Sequence, residues 1–172
     1  MRLLVLSFYY EPDLCAGSFR TTALVAALRE RVPSGTQIDV VTTLPNRYSS
    51  FSRVAAEVDA ADGLEVRRIR LPMHRSDMLG QSRAFVHFAR AALRHVARRH
   101  YDLVFATSSR LMTAALGAWI ARRKHAPLYL DIRDLFVETI NDVLPAPAAW
   151  PVRRLLARVE AWTMRRADRI NL

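Results

Sequence analysis

The stretch RLLVLSFYYEPDLCAGSFR, residues 2–20, decides the predicted fold. Its apolar run, Leu3 to Leu6, leads through a polar segment containing Pro12 to Gly17 and then to a helical pattern. The order is therefore strand, glycine-containing loop and helix. In an open parallel sheet such a loop lies at the carboxyl end of the first strand, where ligands bind, and the start of the helix offers free N–H groups to an anion.

The chain has the size and composition of one folded domain with a positive surface. Its 172 residues are 51% hydrophobic, which is enough for a sizeable core. Lys and Arg total 26 against 16 Asp and Glu, a net charge of +10, and Lys124 is the only lysine. Such a charge favours polyanionic partners, which include phosphorylated ligands, anionic lipid headgroups and nucleic acid, without choosing among them.

Cysteine content and the N-terminal sequence bear on the cellular location. The single cysteine, Cys15, excludes an internal disulfide framework and a cysteine-based zinc site. The apolar run at the N-terminus is too short to span a bilayer and has no signal-type cleavage site. We predict a cytoplasmic protein that is a candidate for peripheral attachment to the cytoplasmic face of the membrane.

Short apolar runs alternate with longer helical patterns along the chain. Predicted strands cover 2–8, 37–43, 64–71, 102–107, 127–132 and 168–172, and predicted helices cover 18–31, 79–99, 110–124 and 150–167. Because most of the strands are continuous apolar runs, they are typical of a parallel sheet covered on both faces. The predicted fold class is α/β, a Rossmann-like, doubly wound parallel sheet in three αβα layers.

One predicted strand, 64–71, differs from the others because its apolar and charged residues alternate. Apolar residues occupy even-numbered positions up to Val66 and odd-numbered positions from Ile69 onward. The alternation therefore shifts by one residue between Arg67 and Arg68, a phase slip. This pattern predicts an edge strand that carries a bulge.

Three residues at the start of the first helix form the first candidate site. Gly17 precedes Ser18, which can cap the helix, and Arg20 lies in its first turn. An arginine near a helix N-terminus is electrostatically unfavourable unless an anion or a carboxylate is close. The functional interpretation is an anion pocket. The structural alternative is a tight turn without a ligand, since the fuller G-x-G-x-x-G pattern is absent.

A second group of charged side chains follows the strand at 127–132. The sequence YLDIRDLF, residues 129–136, contains Asp131, Arg133 and Asp134, and Glu138 comes shortly after it. At the end of a central parallel strand such charges can face a cleft. The alternative is an Asp–Arg ion pair that merely ends the strand.

Ser108 belongs to the third candidate group, ATSSR at residues 106–110. Small hydroxyl residues before a helix are usually caps, and the alternative is contact with a hydroxylated ligand. The chain contains no H-E-x-x-H, Cys–His pair or G-x-S-x-G motif, so we predict no metal site, no other cofactor and no nucleophilic hydrolase.

The helix around 83–100 carries several arginines beside apolar residues. A solvated outer face of the domain explains this pattern, and so does contact with an anionic membrane surface. Nucleic acid is the third interpretation, but no recognised nucleic-acid module is present.

Four segments in order along the chain carry a family resemblance. They are 4–12 with Gly17 and Arg20, then 101–108, 131–135 and 167–170. Together they resemble the N-terminal domain of retaining GT-B glycosyltransferases of the family 4 type. Among these enzymes the chain is most similar to those of bacterial lipopolysaccharide, O-antigen and capsule assembly.

The resemblance implies a two-domain enzyme in which residues 1–172 form the acceptor-side half. The nucleotide-sugar domain would lie beyond residue 172, where the final strand has only begun, and the isolated half would lack turnover. The implied partners are a nucleotide-sugar donor, a lipid-linked or glycan acceptor and an anionic membrane surface, with no nucleic acid and no metal.

The resemblance also implies roles for individual residues. Gly17, Ser18 and Arg20 would approach the donor's phosphates, and Arg133 and Asp134 would border the reaction centre. The acceptor side of the cleft would hold Tyr10, Ser108, Asp131 and Glu138. Many relatives have a His–Asp pair where this chain has Arg133–Asp134, so a role for that histidine does not transfer.

Two other functions remain open at this point. A non-catalytic Rossmann-like module could use the positive charge to bind a membrane or nucleic acid. An NAD-dependent enzyme is disfavoured, because the glycine fingerprint is missing and Thr42 and Thr43 stand where an acidic residue would end the second strand.

Overall fold

A computed structural model describes residues 1–46, 55–72, 78–108, 110–133 and 150–171 of the chain. In these ranges the strands are β1 (Arg2–Leu6), β2 (Gln37–Thr43), β3 (Val58–Ala61), β4 (Leu64–Ile69), β5 (Leu103–Thr107), β6 (Leu128–Asp131) and β7 (Arg169–Asn171). The helices are α1 (Ala16–Arg31), α2 (Met78–Val96), α3 (Leu111–Lys124) and α4 (Trp150–Arg166). None of the helices in the described ranges is long and apolar enough to cross a bilayer.

The strands form one sheet in the order β3-β4-β2-β1-β5-β6-β7. All neighbours pair in parallel except β3 and β4, which form an antiparallel hairpin. The chain moves outward from β1 to β2 and β4, then returns to place β5 on the other side of β1. This reversal of direction between β1 and β5 creates a crevice at the carboxyl ends of the strands, where open α/β sheets bind ligands.

The sheet separates two apolar clusters, as a three-layer fold requires. On one face Leu4 and Leu6 of β1 pack with Phe88 of α2 and with residues of α3. On the other face Leu3 and Val5 pack with Val25 of α1. Alternate residues of β1 therefore enter opposite cores, because successive side chains of a strand point to opposite faces. The α/β, Rossmann-like prediction is confirmed.

The coverage of the α1 face is partial in the part of the chain that the structure describes. Val25 of α1 is buried, whereas Leu24, Leu28 and the C-cap residue Val32 are half-buried. A groove of about 320 Å³ runs beside Leu24 and Leu28, over Leu103, Phe105 and other residues of the sheet.

The prediction of a bulged edge strand at 64–71 is wrong in both respects. The edge is β3, which the sequence did not reveal, and β4 pairs with β2 without interruption from Leu64 to Ile69. The phase slip has another cause, the burial of Arg68. Its guanidinium donates to the carbonyl oxygen of Glu11 at 3.0 and 3.1 Å and also pairs with Asp59.

Helix α3 approaches the sheet closely at Gly117. A Cβ at this position would stand 2.4 Å from the Cβ of Ala106 in β5, closer than two such atoms can approach. The glycine therefore sets the distance between α3 and the sheet, and thereby the position of the first turn of α3 at the carboxyl edge.

The amino edge of the sheet is held by a buried carboxylate, Asp39, which is 1% exposed. Arg2 donates to both of its oxygens at 2.9 and 3.0 Å, Arg99 donates at 2.9 Å and the Tyr101 hydroxyl at 2.8 Å. Burial alone would raise the pKa of Asp39, but the hydrogen bonds from these three side chains outweigh it and lower the pKa. Burial and the Asp39 charge together raise the pKa of Tyr101.

Candidate functional site

Buried hydroxyl groups join β1, α1 and β5 at the carboxyl edge. The Ser7 hydroxyl, directly after β1, donates to the carbonyl oxygen of Tyr9 at 2.8 Å. Its oxygen lies 3.2 Å from Oγ1 of Thr21 in α1 and 3.3 Å from Oγ1 of Thr107 in β5. Thr21 in turn donates to the carbonyl oxygen of Gly17 at 2.9 Å. The start of α1 is thus fastened to the crevice between β1 and β5.

An ion pair across the crevice connects two of the predicted groups. Nη2 of Arg20 lies 2.5 Å from Oδ1 of Asp131, and the side-chain amide of Asn171 donates to the same oxygen at 2.8 Å. The Asp131 side chain is 5% exposed, while that of Arg20 is 47% exposed. Because α1 begins at Ala16, Arg20 is its fifth residue and lies just beyond the first turn. The carboxylate that compensates this arginine near the start of α1 comes from the end of β6.

This pairing leaves Arg20 able to bind a second anion. A guanidinium has five N–H donors, and Asp131 engages only one edge of it. The remaining donors of this half-exposed side chain are available to solvent or a ligand beside the crevice. Asp131 balances the positive charge of Arg20 and fixes the orientation of its guanidinium group.

The N-terminus of α1 lacks a side-chain cap. Cys15 is the N-cap residue and makes no capping hydrogen bond, and the first turn contains no acidic residue. Ser18 is therefore not the cap that the sequence predicts. It lies inside the first turn, where its buried hydroxyl oxygen has no partner among the described residues. Gly17 also lies within the helix, so the tight-turn interpretation of this glycine is wrong.

Ser108 has a role that its sequence context did not indicate. Its hydroxyl oxygen accepts the backbone N–H of Arg133 at 2.8 Å, and its own N–H donates to the carbonyl oxygen of Asp131 at 2.9 Å. The N-cap of α3 is Arg110, so the prediction that Ser108 caps this helix is wrong. Ser108 instead fixes the backbone that follows β6 and so the position from which Arg133 extends. Asp134 and Glu138 lie outside the described residues.

Tyr10 lies in the core rather than on an open wall of the crevice. It packs with Leu3, Val5 and Val25 below α1. Burial, together with the neighbouring charge of Glu11, raises the pKa of the Tyr10 phenol to about 12. Its predicted place on the acceptor side remains a prediction, and its burial counts against direct contact with an acceptor.

Arg110 is a site residue that sequence reasoning missed. It stands at the N-cap of α3, and its guanidinium lies 4.2 Å from the centre of the Phe8 ring. Nη2 donates to the Tyr9 hydroxyl at 3.0 Å, and Nη1 donates to Gln81 at 3.2 Å. The signal that singled out Arg20, a cation at the start of a helix that follows a parallel strand, also applies to Arg110.

The carboxyl edge is therefore suited to an anion. The starts of α1 and α3 direct backbone N–H groups toward it, and Arg20, Arg110 and Arg133 belong to the segments that form it. In the described ranges, no cluster of three or more His, Cys, Asp or Glu side chains could hold a metal ion. A cavity of about 610 Å³ lies at the opposite edge near 33–37 and shares no residue with this site.

A family model for the glycosyl transferase 4-like domain matches residues 17–171. The match begins at Gly17 in the first turn of α1 and ends at Asn171 in β7, so it includes both sides of the Arg20–Asp131 pair. The chain belongs to this family of glycosyltransferase domains, and its substrates are a sugar donor and an acceptor. A comparison with curated proteins gives no match.

Proposed function

We propose that this chain is the acceptor-side half of a retaining glycosyltransferase in cell-surface glycan assembly, of which lipopolysaccharide is the leading example. The enzyme would transfer a sugar from a nucleotide-sugar donor to a lipid-linked or polysaccharide acceptor. A second domain, encoded beyond residue 172, would hold most of the donor. The observation that carries the proposal is the Arg20–Asp131 pair beside the uncapped start of α1, in a chain of this family.

The charges at the carboxyl edge fit the demands of this reaction. When the bond between the anomeric carbon and the leaving diphosphate breaks, negative charge develops on the phosphate oxygens. The acceptor hydroxyl bonds to the anomeric carbon, and its proton passes to an oxygen of the departing diphosphate. Backbone N–H groups of α1 and the free donors of Arg20 would stabilise the departing diphosphate, and preorganised donors of this kind are worth about 10²–10³ in rate each.

We propose that Arg133 and Asp134 border the reaction centre. Support for Arg133 comes from its backbone, because Ser108 holds its N–H at the end of β6, two residues after Asp131. We also propose that the reaction needs no metal ion, since arginines and helix N-termini would supply the positive charge that the diphosphate requires.

We further propose that the enzyme acts in the cytoplasm at the inner face of the membrane and binds no nucleic acid. The support is the net charge of +10. On the outer face of α2, Arg83, Arg90 and Arg94 are exposed, as is Arg98 just past its end. Exposure of these arginines agrees with a solvated face and with a membrane contact alike.

The test is transfer by the full-length gene product, measured as release of nucleoside diphosphate with a lipid-linked acceptor. Arg20→Gln alone leaves Asp131 buried without its cation, so the informative variant is the double change Arg20→Gln/Asp131→Asn, which keeps a hydrogen bond between the two side chains. We expect its kcat to fall about 100-fold or more while the fold is retained.

The matched control is Arg29→Gln, an exposed arginine on the same helix near the amino edge. It should leave transfer unchanged. Equal activity of the double variant and the wild type would refute the role of Arg20. Turnover by residues 1–172 alone would refute the two-domain arrangement, and loss of activity with a chelator would refute the metal-independent one.

A further inference from the structure

Helix α4 extends well past the carboxyl edge of the sheet. Its residues Glu160 and Thr163 lie level with Ser108 and Ile132, which follow β5 and β6, since all four line one small cavity. The helix runs toward the amino edge, where Asp168 donates its N–H to Leu128 at the start of β6. At 1.5 Å per residue, Trp150 therefore stands about 15 Å beyond that level, on the side where the crevice opens.

The projecting half of α4 exposes large apolar side chains beside arginines. Trp150 is 59% exposed and Leu155 60% exposed, and Val152 is exposed as well. Arg154 and Arg158 are exposed on the same arc, and the Arg154 guanidinium lies 5.1 Å from the centre of the Trp150 ring. Trp150, Arg154, Leu155 and Arg158 line one shallow surface depression, and we call these four residues the α4 patch.

The composition of α4 separates it from an ordinary solvated helix. Its 17 residues include five arginines and one acidic residue, and the first turn contains no acid. A solvated outer face normally carries charges of both signs and few large apolar groups. Tryptophan, leucine and valine among arginines are typical of helices that lie in the headgroup region of an anionic bilayer.

We propose that the α4 patch binds the surface of an anionic lipid bilayer. The apolar side chains would enter the boundary between headgroups and acyl chains, and Arg154 and Arg158 would pair with lipid phosphates. The inference deepens the proposed function, on which it rests for the location of the acceptor. The patch would place the opening of the crevice on the side of the domain that faces the bilayer, where a lipid-linked acceptor is presented.

The sequence pattern indicates α2 as a candidate for membrane contact. This helix therefore serves as the matched comparison for α4. The outer face of α2 is richer in exposed arginine, but its exposed apolar groups, Leu79 and Val86, lie about two turns apart, whereas α4 exposes Trp150, Val152 and Leu155 within six residues. Equal removal of charge from the two helices therefore distinguishes a local surface from a general attraction of a positive protein to anionic lipid.

The experiment is co-sedimentation of the full chain with vesicles of phosphatidylcholine, with and without phosphatidylglycerol, at low and high salt. We expect binding to the anionic vesicles only. Arg154→Gln/Arg158→Gln should lower the partition coefficient about 30-fold, since each basic residue near an anionic surface contributes about fivefold. Trp150→Ser/Leu155→Ser should abolish the binding that survives high salt.

The control Arg90→Gln/Arg94→Gln removes the same charge from α2 and should change the partition coefficient by less than about threefold. Circular dichroism spectra of all variants check that they are folded. An equal loss in the α2 control, unchanged binding of either α4 variant, or equal binding of a DNA duplex would each overturn the proposal. No step requires turnover, so failure here leaves the test of Arg20 unaffected.

Discussion

Asp39 offers a direct test of what holds the amino edge of the sheet together. The change Asp39→Asn keeps the shape of the side chain and removes the charge that Arg2, Arg99 and Tyr101 share. Loss of one partner from a buried ion pair costs about 3–5 kcal/mol, because the remaining charge stays uncompensated. Glu65 lies 2.8 Å from Arg99 and still pairs with it, so we expect the lower end, about 3 kcal/mol.

The assay is urea unfolding followed by circular dichroism, with thermal unfolding as a second measurement. For a chain of this size, about 3 kcal/mol corresponds to a fall in Tm of about 6–12 °C. The control is Glu30→Gln, an exposed carboxylate near the end of α1, which should change the free energy of unfolding by less than about 0.5 kcal/mol.

The pH dependence of the same variant tests the physical cause. The pKa of Asp39 is lowered in the folded protein, so its charge stabilises the fold above the unfolded pKa of about 3.9. That contribution is lost as the pH falls from about 4 toward the lower folded value. The difference between wild type and Asp39→Asn should therefore shrink below about pH 4. A difference that stayed constant down to pH 3 or so would refute an electrostatic origin.

Two further predictions concern Gly117 and Tyr10. Helix propensity alone predicts that Gly117→Ala stabilises the chain by about 1 kcal/mol, but the 2.4 Å approach to Ala106 should reverse the sign to a net loss of about 1–2 kcal/mol. Adding Ala106→Gly should recover part of this loss, and a single variant as stable as the wild type would contradict the close approach. For Tyr10, ultraviolet titration should show one phenol that ionises near pH 12 and is absent in Tyr10→Phe. Because this pKa is raised on folding, the stabilisation is complete below about pH 10 and lost as the pH rises through about 12.

The order of strands and helices was predictable because it depends on local patterns. Continuous apolar runs mark strands that are covered on both faces, and β2 begins and ends at the predicted residues. The hairpin strand β3 was missed, because Val58–Ala61 is exposed along its whole length and so carries no apolar run. Its pairing with β4 comes from the neighbouring strand rather than from a pattern of its own.

The candidate site was predictable only as separate groups. The sequence placed Arg20 at a helix start that requires an anion or a carboxylate, and it placed Asp131 at the end of a strand. It did not show that the two side chains meet, since they lie 111 residues apart. Ser108 was misassigned for a related reason, because its partner, the N–H of Arg133, belongs to another loop.

The sequence by itself determined the α/β class, the alternation of strands and helices, and the edge of the sheet at which the charged site residues lie. These properties follow from hydrophobic periodicity and helix-end chemistry, which act over a few residues. Only the tertiary structure decided the partners of the charges: Arg20 with Asp131, Arg68 with the carbonyl of Glu11, and Asp39 with Arg2. A buried charged group pairs with whichever segment lies near it in the folded protein. The position of that segment along the chain does not indicate that the two will be neighbours.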